Sequence, residues 1–194
     1  MENNVILGVG IPTLSGSLRM ETVVSIVDII ANSGFPVAIF FCKGSILPDN
    51  RKKLVVDALR ARCTHLLFLD ADIELEKGAV QKLLAHDKFI VGGNIHKKSL
   101  PLQDTTKLLG KNGEAVVGEL PDELFQCHSV ATACMLIKMK VFREIDKPWF
   151  LFEYDKDGNL TGEDVWFCKQ ARKKGFEIWC DPTIEIGHIG DYTY

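Results

Sequence analysis

Three things are scarce in this chain of 194 residues, and each absence closes off a class of function. There is no basic excess: the formal net charge is −3, so no positive field draws the protein to nucleic acid or to an anionic bilayer. No apolar run approaches the length of a membrane span, and Glu2-Asn3-Asn4 stand where a secretory leader carries basic residues. There is no C-x-x-C pair. The six cysteines, at positions 42, 63, 127, 134, 168 and 180, are scattered, which predicts reduced, mostly buried thiols and a cytoplasmic setting, with an oxidised secreted protein as the alternative. A G-x-x-x-x-G-K-[ST] phosphate loop is also missing, and "CKGS" at 42–45 does not supply one. What is present is ordinary for a soluble domain: 46% apolar and 25% charged residues, enough chain for one substantial core over residues 1–194.

Apolar periodicity divides the first half into alternating strands and helices. "VILGVGI" (5–11) reads as a buried strand broken by Pro12. Ser17 is positioned to cap a helix whose Met20, Val23, Val24, Val27 and Ile30 recur at helical spacing, with Gly34 as its stop. "PVAIFFC" (36–42) is a second strand, a helix starts at Asp49 or Asn50 and runs through Arg62, and "THLLFLD" (64–70) is a third strand. "EKGAVQKLLAH" (76–86) is a helix leading into "KFIVGG" (88–93). This rhythm predicts a parallel, doubly wound sheet covered on both faces. Further along, 108–120 reads as a small hairpin around Asn112-Gly113, 125–138 as one or two strands, and "VFREI" as a short helix. Residues 164–174 read as a helix stopped by Gly175 and followed by the strand "FEIWC".

The third strand ends abruptly in Asp70-Ala71-Asp72. Like charges that close repel, and an unpartnered carboxylate is costly to desolvate, so a positive group is expected between them. In open parallel sheets ligands bind beyond the carboxyl ends of the strands. Residues i and i+2 of an extended segment point to one side, so both acids can face one ion, and hard oxygen ligands suit magnesium or manganese. Two plainer readings compete: Asp72 capping the next helix, and Asp70 merely closing a strand. Haloacid dehalogenase-type phosphatases also carry D-x-D after an apolar strand, but there the first acid is a nucleophile on the first strand, not the third.

The richest stretch is "TGEDVWFCKQARKKGFEIWCDPTIEIGHIG", residues 161–190. With "GIPT", "LLFLDADI", "LLAHDKFIVGGN" and "ATACMLIKMKVFREIDKPWF", it resembles nucleotide-sugar-dependent glycosyltransferases of the GT-A type, especially glycosyltransferase family 2, over nearly the whole chain. Where relatives often have Gly-Thr-Gly, this chain has Ala131-Thr132-Ala133. The resemblance implies an α/β GT-A (Rossmann-like) fold, doubly wound, mostly parallel, with a small antiparallel addition.

It also implies a chemistry. A sugar leaves its nucleoside diphosphate through a transition state with oxocarbenium character, and a divalent cation offsets charge growing on the leaving diphosphate. By resemblance Asp72 is the direct metal ligand, Asp70 contacts ribose or a metal-bound water, and His188 supplies a third ligand, a nitrogen that favours Mn2+ over Mg2+. Asp164 becomes the general base for the acceptor hydroxyl and Glu163 a hydrogen-bonding partner of the acceptor, which leans towards inversion. Thr161 to Asp164 also fits a T-x-x-D capping box, whose helix dipole would hold the Asp164 pKa low.

Pro12 and Thr13 resemble the turn that touches the nucleotide base, and Arg51 is placed to reach ribose, base or phosphate. An ordinary proline turn and a solvated arginine are the plain alternatives. Trp149 and Phe150 fall where relatives bind acceptor sugar, although both rings could equally pack in the core. His96-Lys97-Lys98 reads as a solvated basic turn, with the rim of the site as the other reading. "DKDGN" (155–159) looks calcium-like but has its glycine too early for an EF-hand, so an Asp-Gly turn is expected. The expected partners are a UDP-sugar donor and a saccharide or other hydroxyl acceptor, with GDP and dTDP donors left open. A place in a larger protein or a homo-oligomer is also open. The rival functions are a phosphotransfer enzyme with Asp70 as nucleophile and a non-catalytic sugar-nucleotide-binding module.

Overall fold

The computed structural model describes residues 5–190; the leader reading of positions 2–4, and the question of whether Tyr194 is a natural end, lie outside them. In chain order the elements are β1 (Leu7–Thr13), α1 (Met20–Asn32), β2 (Val37–Lys43), α2 (Leu47–Arg60), β3 (His65–Leu69), β4 (Ile73–Leu75), α3 (Ala79–Ala85) and β5 (Ile90–Gly93). They continue as β6 (Lys107–Leu109), β7 (Ala115–Val116), β8 (Phe125–Ser129), β9 (Cys134–Lys138), α4 (Met139–Glu144), β10 (Glu153–Tyr154), β11 (Leu160–Thr161), α5 (Glu163–Lys173), β12 (Ile178–Asp181) and β13 (Ile186–His188).

One nine-stranded sheet, in the order β2-β1-β3-β9-β5-β12-β8-β6-β7, organises the molecule. Strands β2, β1 and β3 are parallel, as are β5 and β12, but β9 lies antiparallel between β3 and β5. The sheet is therefore mixed, with most strands sharing one direction. The alternating rhythm of the first half holds through β1, β2, β3 and β5, which all run one way, and then fails at β9. Between β5 and β9 the chain supplies hairpin segments rather than the crossover helix that a parallel neighbour requires, and β9 enters reversed.

Both faces are covered, because successive strand residues point to opposite sides. Leu66 and Phe68 of β3 join one core with α2, α4 and α5 through Leu54, Phe142 and Phe167. Leu67 and Leu69 join the other with α1 and α3 through Ile26, Ile29 and Leu83. All six cysteines are buried free thiols. No helix among the described residues is long and apolar enough to cross a membrane.

Several local expectations are corrected. Pro12 does not break β1; it lies past Gly10, where β3 has stopped pairing and only β2 remains alongside. Ser17 does not cap α1, whose cap position is Arg19 and whose first turn takes no capping hydrogen bond from that side chain. The helix also turns the opposite face inward: Thr22, Ser25, Ile26 and Ile29 are buried, while Met20, Val23, Val24, Val27 and Ile30 face outward. Ile26 and Ile29 pack in the core, and the Ser25 hydroxyl accepts the Leu75 amide of β4 at 2.9 Å. The hairpin at Gly113 (φ 86°) and the Asp-Gly turn at Gly158 (φ 81°) form as read, the latter with Asp155 Oδ1 accepting the amides of Asp157 and Asn159.

Candidate functional site

The carboxyl ends of β1, β2 and β3 open onto a cavity of about 720 Å3 whose walls include Pro12, Thr13, Gly44, Asn50, Asp70 and Asp72. Its outer wall is residues 14–19, a loop folded back on Thr13: the Thr13 hydroxyl accepts the Gly16 amide at 3.0 Å and donates to the Ser17 carbonyl at 3.2 Å. The loop is anchored below where the Arg19 amide donates to the Ala71 carbonyl at 2.9 Å. Asn50 braces the far side by donating to the Gly44 carbonyl at 2.7 Å. Pro12 and Thr13, assigned to the nucleotide site by resemblance alone, share one cavity with the acidic pair.

Arg51 is placed differently from its sequence reading. It is 1% exposed and is the interior link between two acids. Its Nη2 donates to both carboxylate oxygens of Asp70, and its Nε donates to Glu163 Oε1 at 3.0 Å, where the Thr132 hydroxyl also donates at 3.4 Å. Burial works against the guanidinium charge, but the two carboxylates outweigh it and hold Arg51 protonated. The single positive group expected between Asp70 and Asp72 is absent among the described residues; Arg51 is the partner of Asp70, and Asp72 has its own. Glu163, 7% exposed, is held inside the same ion network and is not open to an acceptor.

Asp72 turns the other way. Its Oδ2 accepts from Lys98 Nζ at 2.5 Å and lies 3.8 Å from His188 Nε2. Backbone pairing produces this meeting: β4 and β13 run antiparallel with Ile73 opposite His188, and the Ile189 amide donates to the Asp72 carbonyl at 2.8 Å. Partial burial works to raise the Asp72 pKa, yet the His188 and Lys98 contacts prevail and hold it down at about 2. The same contact with Asp72 lifts His188 above the ordinary imidazole range.

His188 Nδ1 lies 2.8 Å from the His96 carbonyl, which can only accept, so Nδ1 carries hydrogen and Nε2 is the atom aimed at Asp72. That is the arrangement by which a backbone carbonyl orients a metal-binding imidazole. Asp72 and His188 therefore fit a cation between them. Asp70, committed to Arg51, does not complete the expected trio, and among the described residues no three His, Cys, Asp or Glu groups gather at metal-binding spacing. Lys98, whose second sequence reading is the rim of the site, stands beside Asp72 rather than in a purely solvated turn.

Asp164 opens α5 without forming the expected capping box. The cap position is Gly162, with no side-chain bond, and Thr161 belongs to β11. Asp164 Oδ1 accepts the Val165 amide at 2.7 Å. Its pKa is raised to about 6, by burial first and by the neighbouring Glu163 carboxylate second, against the pull of the Val165 amide and Arg51. The dipole argument predicted the opposite direction; desolvation beside another acid is the larger effect here.

Trp149 and Phe150 are core residues, each 4% exposed. Phe150 stacks on Phe167 at 5.2 Å between centroids and meets Phe68 edge-on, while Trp149 packs against Phe142. Neither can offer a free ring face to a sugar. The exposed aromatic residues beside them are Phe152 and Tyr154.

No protein-family model matches this sequence, and no curated protein matches it. Among solved structures the chain is similar to the crystal structure of A197 from STIV. The TM-score is 0.70 at 19% identity, covering 96% of this chain and 86% of that one. The likeness is one of fold. It extends over the whole architecture just described and is consistent with a Rossmann-like sheet.

Proposed function

We propose that this chain is a metal-dependent glycosyltransferase of the GT-A type, taking a sugar from a nucleoside diphosphate, with UDP-sugars as the first donor class, to a saccharide or other hydroxyl acceptor. The observation that carries the reading is the pairing of Asp72 with His188 through the β4–β13 ribbon, at the rim of the cavity that Asp70, Pro12 and Thr13 line. A cation bound by Asp72 and His188 would supply positive charge to the departing diphosphate. Arg51 keeps Asp70 oriented at the cavity wall.

Asp164, with a pKa of about 6, is ionised at neutral pH yet basic enough to take a proton as the acceptor oxygen attacks the anomeric carbon. The proton passes to Oδ2, since Oδ1 holds the Val165 amide. The new C–O bond forms as the bond to diphosphate breaks, and attack from the opposite face inverts the centre. A phosphotransfer role for Asp70 is disfavoured by its pairing with Arg51 through both oxygens, which weakens it as a nucleophile.

Calorimetry with a panel of nucleoside diphosphate sugars, with and without Mn2+, tests the reading. Binding of one base class that requires the cation is the expected result. Cation-independent binding of every member, or no binding, would overturn it. Asp164→Asn should abolish transfer and leave donor binding intact.

A further inference from the structure

Helix α1 gives its poorer face to the core. Two of its buried positions, Thr22 and Ser25, carry hydroxyls, and Thr22 Oγ1 has no hydrogen-bond partner. Its richer apolar face is in solvent: Met20 is 73% exposed, Val23 39%, Val24 59%, Val27 58% and Ile30 53%. Contiguous apolar surface of this kind is uncommon on a monomer and marks a contact.

Met20, Val23, Val27 and Ile30 are spaced three, four and three residues apart, the seam spacing of two helices packed knobs-into-holes, and Val24 widens the seam. We propose that this face is the interface of a homodimer in which the α1 helices of two copies pack across a two-fold axis near Val24 and Val27.

Three observations select a second copy as the occupant. Among the described residues no other helix exposes a large apolar side chain, so the only matching stripe this chain offers is α1 of another molecule. The seam is uncharged. Asp28 is turned to its own fold, accepting from Asn32 Nδ2 at 2.8 Å and from the Gly78 amide at 3.4 Å, so two identical stripes meet without repulsion along the seam. The helix has acidic Glu21 in its first turn and no basic residue in its last, which opposes an anionic bilayer surface. The exposed parts of these five side chains amount to roughly 500 Å2 per copy, so a two-fold contact removes roughly 1,000 Å2, the lower bound for a specific interface. Nothing in this depends on the glycosyltransferase reading.

Cysteine cross-linking gives a direct test because all six native thiols are buried. Val24→Cys and Val27→Cys should each form a disulfide-linked dimer under mild oxidation, while Lys111→Cys in the remote hairpin turn should not. Sedimentation of the unmodified chain should give a dimer at micromolar concentration, and Val24→Glu with Val27→Glu should weaken it by about 100-fold or more. A chain that stays monomeric at several hundred micromolar overturns the proposal. So does a dimer that survives both glutamates, or a monomer that instead partitions onto phosphatidylcholine vesicles. If the double glutamate variant fails to fold, the cross-linking comparison decides alone.

Discussion

Arg51 and Asp70 form a two-toothed ion pair, with one guanidinium nitrogen 3.0 and 3.2 Å from the two carboxylate oxygens, while the same guanidinium reaches Glu163 at the start of α5. One buried cation thereby ties the end of β3 to the helix that carries Asp164. Arg51→Met should leave two acids facing each other without a counter-charge and cost about 3–5 kcal/mol of stability in urea unfolding. Arg51→Lys should retain only part of that, since an ammonium cannot meet two acids in the geometry of a fork.

The raised pKa of Asp164, about 6 against 3.8 for an ordinary aspartate, makes a signed prediction for stability. A carboxyl that holds its proton more tightly when folded contributes fully below its unfolded pKa, and that contribution is lost as pH rises through the folded value. The unmodified protein should therefore lose about 2 kcal/mol from this group between pH 4 and pH 7. Asp164→Asn should lack that loss, as measured by urea unfolding of both proteins at the two pH values. Transfer activity should rise over the same interval, as the base sheds its proton.

Mn2+ titration by calorimetry separates the roles around Asp72. Asp72→Asn should abolish binding, and His188→Ala should weaken it about tenfold or more. Lys98→Met should tighten it, because the ammonium on Asp72 Oδ2 competes with any arriving cation. Affinity should also increase with pH through the titration of His188, whose proton is held more tightly beside Asp72.

Gly92 lies in β5 directly opposite Met135 of the neighbouring strand β9. A Cβ placed there would stand 2.6 Å from the Cys134 carbonyl oxygen and 3.0 Å from Val130 Cγ2. Backbone cannot move aside as a flexible side chain does. Gly92→Ala should cost about 1–3 kcal/mol in thermal or urea unfolding without changing Mn2+ binding.

The parallel half of the sheet was legible because β1, β2 and β3 are apolar runs bounded by turn residues, although β2, at the sheet edge, is only partly buried. The direction of β9 was not, since antiparallel and parallel central strands carry the same composition. Which face of α1 turns inward was not legible: periodicity identifies an apolar stripe, but the buried face carries Ile26, Ile29 and Ser25, whose hydroxyl accepts the amide of Leu75, a residue distant in sequence. In the site, the D-x-D acids were visible as charge at a strand end; Pro12 and Thr13 were read as a turn by resemblance and are the last residues of β1. The burial of Arg51 was not, because an arginine becomes interior only when acids distant in sequence converge on it. Lys98 was legible only as part of a basic turn, with the rim of the site as its second reading.

The ribbon of β4 with β13 has a consequence for how the molecule comes into being. Ile73 and His188 become neighbours only when the last described strand docks against a segment made far earlier, and such long loops close late and slowly. A nascent chain can therefore complete β2, β1 and β3, with Asp72 in place, while its imidazole partner is still unmade. Under the proposed function, competence to hold an ion would then report that synthesis has passed β13.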